Sequence, residues 1–199
     1  MRIFAGTARG RFVNAPPNAK LRPTTDRVRL AVFNATAGLI PGCRYLDLFC
    51  GSGSMGLEAL SRGAAHVTFV DSQRACVDAL KESARGFGFA DAAWDSYCAD
   101  YRRALASLAA RGAGFDLAYL DPPYDAGLGA DALATLVSLK LMAVDARVRI
   151  LLEHSSEQDS PAAAGLALCR RYDHGAASVS VYGPALPGGG GEAGGGHAP

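Results

Sequence analysis

The chain has 199 residues, 49% hydrophobic and 20% charged, at a net charge of +1, the balance of one soluble globular domain with a full core. No apolar run approaches the ~18 residues of a membrane span, and the opening MRIFAGTARGR lacks a signal-peptide core. Five cysteines without a C-x-x-C pair and four scattered histidines argue against a disulfide framework or a metal, and for a reducing cytoplasm.

Charge is unevenly spread. Residues 1–29 carry Arg2, Arg9, Arg11, Lys20, Arg22, Arg27 and Arg29 against Asp26 alone, so the rest of the chain is net acidic. A basic arm over residues 1–24 suits an enzyme that recruits a polyanion. A solvated surface strand or loop would carry the same charges. TTDRVRLAVFNATAGLI then reads as a helix capped by Thr24 or Thr25, with Val28, Val32 and Phe33 on one face.

Apolar strands and helical stretches alternate from there. CRYLDLF precedes SMGLEALSRG, HVTFVD precedes QRACVDALKESARGFG, and SYCAD precedes YRRALASLAARG. FDLAYLD leads to GADALATLVSLKLM, and RVRILLEHS follows. This alternation predicts an α/β, Rossmann-like fold with a parallel sheet covered by helices on both faces. LALCRRYD and AASVSVYG flank a turn at Asp173-His174-Gly175, which predicts a closing antiparallel hairpin. The body therefore spans residues 25–184, and the Gly-rich tail 185–199 cannot build a core.

DLFCGSGSMG, Asp47 to Gly56, places Gly51, Gly53 and Gly56 as G-x-G-x-x-G between a strand and a helix. Such a loop lets a nucleotide-type ligand approach the backbone. The second strand ends at Asp71, where a carboxylate can hold two ribose hydroxyls. The third is expected to end at Asp100, facing the next part of the ligand. Nicotinamide dinucleotide and S-adenosylmethionine both satisfy the glycines and Asp71. Asp47 separates them, because a carboxylate suits a methionine amino group and repels a pyrophosphate. Asp47 as a loop cap and Asp100 as a helix N-cap stay open as simpler readings.

The fourth strand ends in FDLAYLDPPYD. Pro122 and Pro123 remove two N–H donors and fix φ, so the strand stops at a stiff corner. The corner offers the Asp121 carboxylate, the Pro122 carbonyl and the Tyr124 ring. An exocyclic amine on a nucleobase is a poor nucleophile because its lone pair is delocalised into the ring. Two acceptors for its hydrogens would draw the nitrogen toward tetrahedral geometry, while Tyr124 stacks on the base. Methyl transfer from a sulfonium then needs chiefly positioning and electrostatics, and no metal.

The chain resembles class I S-adenosylmethionine-dependent methyltransferases. Within them it is similar to the bacterial 16S rRNA guanine-N2 methyltransferases, the RsmD family. RIFAGTARGR, LRPTTDRVRLAVFN, DLFCGSGSMGLEALSRGA, DPPY and RRYDHGAASVSVYG carry the resemblance, over roughly residues 1–184. It implies a seven-stranded, mostly parallel sheet with a C-terminal antiparallel hairpin. It implies that Asp47, Phe49, Gly51, Gly53, Met55, Gly56, Asp71, Ser72, Asp100 and Tyr101 contact S-adenosylmethionine. Asp121, Pro122, Pro123 and Tyr124 would hold the target base, and Arg9, Arg11, Arg22, Arg27 and Arg29 would grip RNA phosphates. The implied partner is 16S rRNA within the small ribosomal subunit, and a cytoplasmic monomer is expected. The family usually has an acid where this chain has Leu30, and often an aromatic where it has Ala8.

Three other readings compete. An adenine-N6 methyltransferase would share the DPPY corner, although no segment here is long enough for a separate target-recognition domain. An RNA-binding module on a decayed methyltransferase fold should have lost the glycine loop or the corner. A nicotinamide dehydrogenase would leave DPPY without a role.

Overall fold

The computed structural model describes residues 1–14, 26–123, 127–143, 145 and 147–185. Helix α1 (Asp26–Ala35) leads to β1 (Arg44–Leu48), α2 (Ser54–Ser61), β2 (His66–Asp71), α3 (Arg74–Gly86) and β3 (Trp94–Cys98). There follow α4 (Tyr101–Ala110), β4 (Leu117–Leu120), α5 (Leu128–Ser138) and β5 (Arg149–Ser155), then the hairpin of β6 (Leu166–His174) and β7 (Ala177–Pro184). The capping threonines proposed for α1 lie outside the described residues.

All seven strands join one sheet in the order β3-β2-β1-β4-β5-β7-β6. β1 to β5 are parallel, and β7 enters antiparallel between β5 and β6. This is the class I methyltransferase sheet that the resemblance implies. The winding reverses at β1, which pairs with β2 on one side and β4 on the other. Such a switch opens a crevice at the carboxyl ends of the central strands.

Alternation along the strands sorts the core into two layers. Tyr45, Val67, Phe69, Tyr119 and Leu151 point to one face, packed under Val28, Val32 and Phe33 of α1, Leu57 and Leu60 of α2, and Leu80 of α3. Leu46, Leu48, Val70, Ala118, Leu120, Ile150 and Leu152 point to the other, under Leu105 and Leu108 of α4 and Leu133 and Leu136 of α5. The expected apolar face of α1 is therefore the one it buries.

One strand boundary differs from expectation. β3 begins at Trp94 and ends at Cys98, two residues before Asp100. Asp100 leaves the sheet and caps α4, its carboxylate accepting from the N–H groups of Arg102 and Arg103. A short polar side chain ahead of a helix satisfies otherwise unpaired N–H groups there, and that local bond competes with strand pairing.

Residues 1–14 fold back on themselves instead of trailing as an arm. An isolated bridge pairs Arg2 with Phe12, Ile3 N–H donates to Arg11 O at 2.9 Å, and Val13 N–H donates to Met1 O at 2.8 Å. Ile3, Ala8 and Val13 are buried in the α1-side core, while Arg2, Arg9, Arg11 and Phe12 face outward. The turn is fastened to α2. Glu58, fully buried, accepts from Phe4 N–H at 2.7 Å, Ala5 N–H at 3.0 Å and Arg62 Nε at 2.7 Å. Ser61 accepts from Ala8 N–H through Oγ at 2.9 Å, and its carbonyl accepts from Thr7 N–H at 2.8 Å.

Arg29 completes this cluster, which corrects the expectation that it grips RNA. Its side chain is fully buried, 3.5 Å from Glu58, and donates to Arg2 O at 3.1 Å while its guanidinium lies over the Phe4 ring. Burial lowers its pKa, with Glu58 and Asp26 opposing. The next residue but three after Val28–Arg29 is again apolar, so the inward stripe of α1 takes Arg29 with it.

Glu58→Ala should leave that buried guanidinium with the exposed Asp26, 3.4 Å away, in place of a buried partner, and should cost about 3–5 kcal/mol of unfolding free energy. Urea titration would read it. A loss under about 1 kcal/mol would mean that the backbone bonds of the hairpin carry the docking without Glu58.

Candidate active site

The crevice is built from the loops after β1, β2 and β4. Leaving β1, the chain turns sharply through Phe49 (φ 63°), Gly51 (φ 52°) and Gly53 (φ 74°) into α2. Phe49 is the strained member, since a side chain is costly at positive φ. Its ring packs against Tyr101, with centroids 5.1 Å apart. The glycines answer to space as well as to torsion. A Cβ on Gly53 would come within 3.0 Å of Leu80, and one on Gly56 would overlap the Phe69 ring. G-x-G-x-x-G is thus a packing requirement of α2 against β2, and it leaves the loop backbone uncovered on its outer side. Met55 is buried beneath the loop.

Two carboxylates hold the loop from below. Asp47 Oδ2 accepts from Gly56 N–H at 2.8 Å, and Asp71 Oδ2 accepts from Gly51 N–H at 2.8 Å. Asp71 Oδ1 also accepts from Gln73 N–H at 2.8 Å. Gly53 N–H donates to Cys50 O at 2.7 Å. All three glycine N–H groups are therefore taken by acceptors of the protein. A pyrophosphate would find its donors spent and two carboxylates behind them, so the loop is unsuited to a dinucleotide. A ribose keeps its place, because each Asp71 oxygen retains a further lone pair.

Asp47 is 1% exposed and faces no cation among the described residues. Burial above all, with Asp121 and Asp71 adding to it and the Gly56 N–H opposing, raises its carboxyl to about 8. An uncompensated buried acid beside a backbone-lined loop is an environment a cationic ligand would relieve. Ser72 is exposed just past β2. Tyr101 is buried at the start of α4 and donates to Asp131, which Arg102 also reaches at 3.0 Å. Burial, helped by that tie to Asp131, raises the Tyr101 hydroxyl to about 12. Tyr101 thus works as a fixed wall beside Phe49.

Asp121 follows β4 directly, its N–H donating to Leu48 O at 3.2 Å. This bond ties the DPP corner to the strand that feeds the glycine loop. Beyond Pro122 and Pro123 a cleft of about 230 Å³ opens, lined by Gly127, Gly129, Ala130, Leu152, Glu153, His154, Gln158, Asp159 and Pro161 besides the prolines. Its deep polar groups are satisfied within the protein. Glu153 accepts from the Tyr119 hydroxyl, and His154 reaches Ser155 O at 2.9 Å and Ser180 Oγ at 2.7 Å. Burial holds the His154 imidazole below its usual pKa. Tyr124 lies outside the described residues.

Of the basic residues expected to face RNA, Arg9 and Arg27 are exposed. Arg11 is exposed but engaged, donating to Gly86 O at the end of α3 with its guanidinium over Phe87. Arg22 lies outside the described residues. Sequence reasoning missed Glu58, Glu153 and the far wall of the cleft. The first two carried a signal: each is a lone acid inside a run that is otherwise buried, and buried acids need partners.

The raised carboxyl of Asp47 makes a stability prediction. A folded-state value near 8 against an ordinary 3.8 means that the folded chain holds an extra proton between those values. Stability from this group is therefore present at low pH and falls as pH rises through the window. Asp47→Asn keeps an acceptor for Gly56 N–H and removes the titration. Relative to the native chain it should gain roughly 3–4 kcal/mol between pH 5 and pH 8, one pKa unit being about 1.4 kcal/mol. Equilibrium unfolding at the two pH values reads this, and a pH-independent difference would refute the cause given.

Comparison with known proteins agrees with this geometry. The family model described as Conserved hypothetical protein 95 (Cons_hypoth95) matches residues 1–183. The YlbH protein of Bacillus subtilis (strain 168) is 36% identical over 183 residues, covering 92% of this chain and 98% of that one. Ribosomal RNA small subunit methyltransferase D of Escherichia coli (strain K12) is 38% identical over 128 residues, 64% of this chain and 62% of that one. The solved structure of yhhF from Escherichia coli superposes with a TM-score of 0.78 at 32% identity, covering 92% of this chain and 97% of that one. The chain therefore belongs to the Cons_hypoth95 family, the family of the RsmD methyltransferases.

Proposed function

We propose that this protein transfers a methyl group from S-adenosylmethionine to the exocyclic N2 of a guanine in the 16S rRNA of the small ribosomal subunit. The observation that carries the reading is the Asp121–Leu48 bond, which sets an acceptor corner against a glycine loop braced by carboxylates. The rRNA substrate is supported by the name of the Escherichia coli relative. Cytoplasmic action on an assembled or assembling particle, by a monomer, belongs to the same proposal.

When bound, S-adenosylmethionine supplies an electrophilic methyl on a sulfonium. Asp47 is suited to its amino group, since an ammonium there would relieve the buried acid. Asp71 has lone pairs for the ribose hydroxyls, and Phe49, Met55 and Tyr101 are apolar surfaces on which the remainder packs. Gly51, Gly53 and Gly56 keep the backbone low enough for contact, with Ser72 and Asp100 at the outer edge. At the corner, Asp121 Oδ and the Pro122 carbonyl accept the two amine hydrogens, so the nitrogen lone pair turns out of the ring toward the methyl. Pro123 keeps that carbonyl from rotating away, and Tyr124 stacks on the base. Positioning and preorganised acceptors account for the rate.

The test is methyl transfer from labelled S-adenosylmethionine to unmodified small-subunit particles, free rRNA and DNA, with nucleosides identified by mass spectrometry. N2-methylguanosine is expected from the ribosomal substrates. N6-methyladenosine instead would keep the mechanism and discard the target. Asp121→Ala should lower turnover by at least about a hundredfold while cofactor affinity changes little. A parallel loss of cofactor binding would move Asp121 out of the acceptor corner.

RNA capture is assigned to Arg9 on the outward face of the N-terminal hairpin and to Arg27 at the start of α1. Replacing Arg9 and Arg27 together with alanine should weaken RNA binding and lower the slope of log K against log salt by about 1–2. An unaltered slope would take both residues off the interface. Arg11→Ala is a poorer probe, because it also loosens the hairpin from α3.

A further inference from the structure

The cleft beside Pro122 and Pro123 has one wall that the methylation chemistry leaves unused. Its lining contains no lysine or arginine. Among its polar members, Glu153 and His154 are engaged with Tyr119, Ser155 and Ser180. Asp159 and Gln158 have no side-chain partner among the described residues, and both are exposed.

Their backbone, by contrast, is pinned on both sides. Arg171 reaches across from β6 and donates to Ser156 O at 2.8 Å and Gln158 O at 2.9 Å. Gln158 N–H closes a turn on Ser155 O at 3.1 Å. After Asp159, Ser160 Oγ bonds Ser180 Oγ at 2.7 Å, and Pro161 O accepts from the Tyr182 hydroxyl at 2.8 Å. An arginine, a serine and a tyrosine from the hairpin thus hold the six-residue rim 156–161, on which the side chains of Gln158 and Asp159 have no partner among the described residues. Strapping of this kind lowers the entropy cost of presenting a group to a ligand.

We infer that Asp159 reads the Watson–Crick edge of the target base and selects guanine over adenine. The inference rests on the methyl-transfer reading of the same site. Beside its exocyclic amine, guanine offers the N1–H donor and then the O6 acceptor, whereas adenine offers a bare N1 lone pair. With the amine at Asp121 and the Pro122 carbonyl, the neighbouring ring position is assigned to the rim, because Gln158 and Asp159 line the same cleft as Pro122. A carboxylate there accepts guanine N1–H and opposes the lone pair of adenine N1. The Gln158 amide supplies a donor for O6. A site built to bond a given polar edge rejects an analogue that lacks it far more strongly than an apolar pocket discriminates by size. Pro123 and Ala130 provide apolar surface for the ring faces.

The experiment uses 2-aminopurine, which keeps the amine of guanine but has neither N1–H nor O6. Once the modified position is mapped, particles are reassembled with guanosine or 2-aminopurine riboside at that position, and kcat/KM is measured for both. The native enzyme should prefer guanosine by at least about a hundredfold. Asp159→Asn should narrow the preference to under about tenfold, since an asparagine can turn either its oxygen or its amide toward N1. Asp159→Glu should restore most of it. A preference unchanged in both Asp159→Asn and Asp159→Ala, with N2-methylguanosine still formed, overturns the inference and leaves the methyl-transfer reading standing. If the native enzyme forms no N2-methylguanosine on any ribosomal substrate, the reading itself falls, and the assignment of Asp159 with it.

Discussion

The fold on its α1 side depends on one buried carboxylate. Glu58 sits in the middle of α2, every residue of which is buried, so its charge has no access to water. It is tolerated because two backbone N–H groups, Arg62 and Arg29 converge on it. Each partner comes from a different part of the chain: the N-terminal hairpin, α1, and α2 itself. The acid thus ties the placement of three segments to one point, and removing any one of them would take a partner from a charge that water cannot reach. Since α2 begins at Gly53, the same condition fixes the direction in which the glycine loop opens. The N-terminal hairpin and the glycine loop are thus both anchored to α2.

At the crevice the logic is reversed. There Asp47 and Asp71 have no cationic partner among the described residues, and they hold the loop by bonds from the Gly56 and Gly51 N–H groups. Burial raises the Asp47 carboxyl against the pull of the Gly56 N–H, a setting that favours a cationic ligand. Next to it the two successive prolines stiffen the chain around the Pro122 carbonyl, as the proposed acceptor corner requires.

Much of this was legible in the sequence because it is periodic or compositional. Strands announced themselves as apolar runs ending in acids, and α1 as Val28, Val32 and Phe33 at helical spacing. The glycine loop and DPPY are local, so their spacing alone carried their meaning. What could not be read was set by tertiary neighbours. Arg29 has the same residue type as the exposed Arg27 two positions earlier, and only the position of Glu58 on another helix sends it inward. Asp100 ends an apolar run as Asp71 does, yet nearby helix N–H groups claim it as a cap. Asp159 lies in SEQDSP, a stretch without any pattern. Its setting comes from Arg171, Ser180 and Tyr182, which arrive with the closing hairpin.

That hairpin has a consequence for how the chain comes into being. β7 is the last strand in sequence but the next-to-last in space, lying between β5 and β6. During synthesis β5 therefore emerges with an open, apolar edge, and β6 emerges with nothing beside it. Neither can be completed until Ala177–Pro184 has left the ribosome and slid between them. Edges left open in this way are where chains pair wrongly with one another. The exposed charges of β6, including Arg170 and Asp173, act against such pairing while the strand waits. The rim carrying Asp159 is also completed only at that last step, so a truncated chain would present the cofactor loop in full and the base-reading wall not at all.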